Sequence, residues 1–149
     1  MLQRIQTLYL FFSAVCMAAC LFSPLLFVSL DGIQTEVSPL SFCNANDSTV
    51  WSVGLFVIGS ISILLSIVAI FMFKDRKRQI RITRWNVLFL IGFMVYLLLF
   101  LYLIIGIDLA SIHLGWGALM PILAIAFALM ANNKIKKDEA LVKSLNRLR

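Results

Sequence analysis

Four long apolar runs without a charged side chain leave this chain few ways to fold. They cover about residues 5–23, 51–73, 85–107 and 114–130, and none holds Asp, Glu, Lys, Arg or His. A helix of about 20 residues crosses a hydrocarbon core about 30 Å thick, so each run is long enough or nearly so. The whole chain is 62% hydrophobic and 13% charged, with mean hydropathy +0.99. A soluble domain is about 45–50% apolar and about 25% charged. A globular core of this size cannot bury the excess, so the bilayer must be its solvent. The expected fold is all-α and membrane-embedded: an antiparallel bundle of four transmembrane helices in one domain, residues 1–149, with no room for a soluble catalytic domain.

Charge sets the threading. Lys74–Arg84 reads KDRKRQIRITR, six basic residues against one acid, between the second and third runs. Such a segment stays out of hydrocarbon and, by the positive-inside bias, faces the cytoplasm. Arg4, these six and the six basic residues of the tail make up all 13 Lys and Arg, and a four-span threading puts every one on the same side. The outer segments hold Asp31, Glu36, Asp47 and Asp108 instead. Both termini are therefore expected in the cytoplasm. Trp85 marks the inner interface and Trp51 and Trp116 the outer, as an aromatic belt would.

The outer loop, about residues 25–50, contains Leu26–Leu30 and Ile33–Val37 around Asp31-Gly32. Asp-Gly between two strand-like runs signals a tight hairpin, because both central residues of a type I′ turn need positive φ. A small outer β-hairpin is expected between helices one and two. Asn46-Asp47-Ser48 matches a glycosylation sequon, which has meaning only in a pathway that glycosylates. Cys43 has no partner in its loop, whereas Cys16 and Cys20 lie in the first run, where they act as small apolar residues. Met17-Ala18-Ala19-Cys20 looks like a lipoprotein cleavage site, but the residues after Cys20 stay apolar, so an uncleaved first span is expected.

Small residues recur along three of the runs: Ser13, Ala14 and Ala18 on the first, Gly59, Ser62, Ser66 and Ala69 on the second, and Gly117, Ala124, Ala128 and Ala131 on the fourth. Such faces let membrane helices approach closely. The third run is bulkier and is expected to be the most lipid-exposed. Pro121 is expected to bend the fourth helix by removing a backbone hydrogen bond. In the tail 132–149, Ile135, Leu141, Val142, Leu145 and Leu148 fall on one side of a helix. That pattern suits a basic amphipathic continuation of helix four, turned toward the bilayer or a partner.

Sites of chemistry are scarce. Ionisable groups inside a membrane mark proton relays and ion paths, and the four apolar cores hold none. His113 reads as an interfacial side chain, and no metal-ligand spacing or phosphate loop is evident. No enzyme, cofactor or nucleic-acid partner is expected. The basic residues Lys74, Arg76, Lys77, Arg78, Arg81, Arg84, Lys134, Lys136 and Lys137 are the candidates for contact with anionic lipid headgroups. The expected role is a non-catalytic membrane protein that scaffolds or assists an envelope complex, with a membrane-protein partner or a second copy of itself. The alternative is a small channel or transporter subunit working as an oligomer, its path lined by Ser60, Ser62, Ser66 and Tyr96.

The chain ends are more particular than its middle. The head, Met1 to Leu10 (MLQRIQTLYL), and the tail, Lys134 to Lys143 (KIKKDEALVK) closing on Asn146-Arg147-Leu148-Arg149, resemble an uncharacterised four-span inner-membrane family of Bacteroidota, a domain of unknown function. The resemblance covers these motifs and the four-span layout. It implies a bacterial cytoplasmic membrane with both ends inside, makes the Asn46 sequon irrelevant, and supplies no catalytic residue. A claudin-like fold is set aside, since its outer loop needs a cysteine pair and Cys43 stands alone.

Overall fold

The computed structural model describes residues 2–30, 33–39, 48–73, 75–102 and 112–147. Outside them lie the Asp31-Gly32 turn, Cys43, Asn46 and Asp47 of the sequon, Lys74, Asp108, and the tail residues Leu148 and Arg149. In chain order the elements are α1 (Leu2–Phe22), β1 (Leu26–Leu30), β2 (Ile33–Val37), α2 (Ser48–Phe71), α3 (Arg76–Phe100), β3 (Ile112–Leu114), a 3₁₀ turn (Trp116–Leu119) and α4 (Met120–Arg147). All four helices are long and apolar enough to cross a membrane.

α1 packs against α2 and α4, and α3 packs against the same two helices. The small-residue faces are what meet. Gly59, Ser62, Ser66 and Ala69 of α2 are buried, as are Ser13 and Ala14 of α1, Ala124, Ala128 and Ala131 of α4, and Gly117 in the 3₁₀ turn just before it. A side chain at Gly59 would run into Met17 and Leu21 of α1. Phe127 of α4 stacks on Tyr9 and Phe12 of α1, with ring centroids 6.5 and 5.6 Å away. The spans of α2 and α3 bury equal shares of their residues, less than those of α1 and α4. Exposure is therefore shared by α2 and α3 rather than peculiar to α3.

The expected hairpin forms, β1 pairing antiparallel with β2 from Leu26 opposite Val37 to Leu30 opposite Ile33. A third strand was not foreseen: β3 pairs antiparallel with the other edge of β1, His113 opposite Phe27, so β1 is central. His113 is exposed on this strand rather than at a helix edge. The chain then turns tightly under the sheet, where Gly115 N–H donates to the Leu25 carbonyl at 2.9 Å and Gly117 N–H to that of Pro24 at 3.1 Å. Any Cβ at Gly115 or Gly117 would meet the Pro24 carbonyl.

Two expectations about element bounds are corrected. The segment expected as a basic loop, 74–84, is helical from Arg76 onward, so only residues 72–75 join α2 to α3. Arg, Lys, Gln and Ile without Gly or Pro are good helix formers once a neighbour covers one face. Pro121 is the second residue of α4, not its middle. In the first turn an N–H has no intrahelical partner to lose, so proline starts the helix instead of bending it.

Candidate functional site

Both α3 and α4 run past their apolar stretches at the end opposite the sheet, and there they pack on each other. The first turns of α3 sort their side chains by helical spacing. Gln79, Ile80 and Thr83 face inward and are buried, while Lys77, Arg81 and Arg84, at i, i+4 and i+7, face outward. α4 brings Lys136 and Glu139 alongside. These five charged side chains and Ile80 line a cleft of about 280 Å³. Four cations against one carboxylate give it a positive field suited to an anion.

The remaining candidates are used differently. Arg76 spans from α3 to α4: its guanidinium lies 3.3 Å from the Asp138 carboxylate and donates to the Asp138 backbone carbonyl at 3.2 Å. The Asp138 side chain is only 12% exposed, so this pair is a latch between helices and not a free cation. Arg78 pairs with the exposed Asp75 at 3.7 Å. Lys134 and Lys137 are exposed outside the cleft, and Lys74 lies outside the described residues. Ile135 is buried against Leu10, Ala69 and Ile80 rather than turned to the bilayer, whereas Leu141 and Val142 further along α4 are exposed. The first two turns of the tail therefore belong to the packed body.

Sequence reasoning missed a polar layer just inside this end. Asn86 of α3, fully buried, accepts a 2.7 Å hydrogen bond from the Ser62 hydroxyl on its Oδ1, and its Nδ2 donates to the Ser66 hydroxyl at 2.7 Å. Gln79 donates to the Ala69 carbonyl at 3.1 Å, and Gln6 of α1 to the Lys134 carbonyl at 3.3 Å. Nearer the middle, the Ser13 hydroxyl donates to the Ala124 carbonyl at 3.0 Å. Each bond joins two helices. A lone amide in an otherwise apolar run was the available signal, because a buried polar group in a membrane must find its partner on a neighbouring helix. Asn132 of α4 is also buried, and its Oδ1 has no hydrogen-bond partner among the described residues. No three His, Cys, Asp or Glu side chains among the described residues come together as a metal site.

Four apolar helices of spanning length make this a multi-pass membrane protein. The chain belongs to the family described as Domain of unknown function (DUF4293), which matches residues 2–148. No curated protein matches it.

Proposed function

We propose that the protein is a non-catalytic scaffold of the bacterial cytoplasmic membrane. Its four helices form an antiparallel up-and-down bundle, and its platform in the cytoplasm, built from the ends of α3 and α4, holds a membrane-protein partner of an envelope complex. The observation that carries this reading is the latched pair of helix ends. Arg76–Asp138 and the buried Ile135 hold α4 against α3 beyond the apolar spans, while Leu141 and Val142 stand uncovered next to them. A rigid, basic, partly apolar projection is a surface for docking. The up-and-down threading is supported by the order of the contacts: Gln6 meets residue 134 and Ser13 residue 124, while Ser66 meets Asn86 and Ala69 meets Gln79. The side assignment rests on the basic residues gathered at this end.

The channel reading is less well supported. Two of the hydroxyls it needs, Ser62 and Ser66, are buried against Asn86 and bind α2 to α3. The test is a photo-crosslinking residue at Leu141 in native membranes, followed by mass spectrometry. A reproducible heterologous membrane-protein partner, lost in Asp138→Ala, supports the scaffold. Homo-oligomers that conduct solute, with no heterologous adduct, overturn it. In a Cys43→Ser background, which removes the native thiol of the outer loop, a thiol-reactive probe impermeant to the membrane should label Glu36→Cys from outside and Lys77→Cys only after permeabilisation.

A further inference from the structure

We infer that the outward face of α3 is a binding site for a single anionic phospholipid, held lengthwise with its phosphate at the basic cleft and one acyl chain along the helix. Lys77, Arg81 and Arg84 are followed on the same face by Leu88, Ile91 and Val95, at the same alternation of four and three residues. Beside this row a second, apolar groove of about 500 Å³ runs along the membrane part of α3, lined by Trp85, Leu88, Gly92, Val95 and Leu99 together with Ile58 of α2. Gly92 leaves its floor open: a Cβ there would have nothing within 4 Å.

Depth and charge agree on the occupant. From Trp85 to Leu99 the helix rises about 21 Å, enough for the roughly 15 Å of hydrocarbon in one leaflet. Arg84, in the basic cleft on the α4 flank of α3, precedes Trp85, which lines the groove on the α2 flank, and Arg81 and Lys77 stand one and two turns further out, with Lys136 of α4 across the cleft. A basic mouth at headgroup level above an apolar slot is complementary to a phosphate ester carrying a fatty acyl chain. A soluble anion would leave the slot empty, and a zwitterionic lipid would bring its own cation to a cleft where four cations already face one carboxylate. The inference rests on the side assignment made above but not on a protein partner.

Tryptophan quenching in liposomes tests it. Trp51→Phe and Trp116→Phe leave Trp85, one of three tryptophans, as the sole reporter at the groove. Phosphatidylglycerol with brominated chains should quench it at about tenfold lower mole fraction than brominated phosphatidylcholine. Arg81→Gln with Arg84→Gln should abolish that preference, and Arg84→Lys should keep most of it. Gly92→Leu sends a side chain into the slot from a position whose Cβ meets nothing within 4 Å, and should cut the quenching by the anionic lipid to the level of the neutral one, with the thermal unfolding of the protein retained. Equal quenching by the two lipids, a preference unaffected by Gly92→Leu, or displacement by water-soluble glycerol phosphate each overturns the inference. Crosslinks at Leu141 that persist without a lipid preference overturn this site and leave the scaffold standing; an intact lipid preference without any heterologous adduct does the reverse.

Discussion

Replacing Asn86 by leucine tests whether the polar layer locks α2 to α3. The substitution keeps the side chain close in size and removes both interhelical hydrogen bonds, each 2.7 Å long. Hydrogen bonds between membrane helices contribute about 0.6 kcal/mol on average and about 1.7 at most, so the pair should be worth about 1–3 kcal/mol. The freed hydroxyls of Ser62 and Ser66 can turn back to the carbonyl four residues earlier in their own helix. No buried donor is then orphaned, and the loss measures the bonds themselves. The assay is reversible unfolding in mixed micelles by titration with denaturing detergent. A double-mutant cycle against Ser62→Ala and Ser66→Ala separates the two bonds, and coupling of about 0.5–1.5 kcal/mol is expected for each. Wild-type stability in Asn86→Leu, or cycles with no coupling, would refute the reasoning and leave Asn86 as a spectator.

Arg76→Ala and Asp138→Ala should each cost about 1–3 kcal/mol, because removing one partner strands a charge-assisted hydrogen bond; the double variant, measured by the same unfolding titration, should cost less than the sum. Gly117→Val should destabilise by about 1–3 kcal/mol, since its Cβ meets backbone at Pro24 that has no rotamer to change. Gly92→Ala has open space and should stabilise by about 1 kcal/mol through helix propensity. Pro121→Ala should shift stability by less than about 0.5 kcal/mol, whereas removing a proline from the middle of a helix would gain about 3 kcal/mol; a large gain would contradict its place in the first turn.

Hydrophobicity, charge sorting and local turn chemistry are properties of short stretches, and what depends on them alone was legible. The four spanning helices follow from apolar length. The β1–β2 pairing follows from Asp-Gly between two strand-like runs, and the buried faces of α1, α2 and α4 follow from small residues at helical spacing. Family membership was visible in the head and tail motifs. What depends on a neighbour was not. Ile112–Leu114 is too short to declare itself a strand and becomes one only because β1 offers an unpaired edge. Residues 76–84 looked like a loop because their charge was conspicuous, and they are helix because Ile80 has Ile135 of α4 and Ala69 of α2 to pack against and Gln79 bonds the Ala69 carbonyl. Arg76 and Arg81 are alike in sequence, five residues apart; α4 alone separates their roles, placing Asp138 beside the first and Lys136 beside the second. Asn86 is an expense in an apolar run until Ser62 and Ser66 face it. The sequence by itself determined which segments enter the membrane, because transfer free energy is summed residue by residue. Only the tertiary structure decided which polar groups are bound and which stay available, because a hydrogen bond or ion pair needs two groups that the chain brings together from far apart.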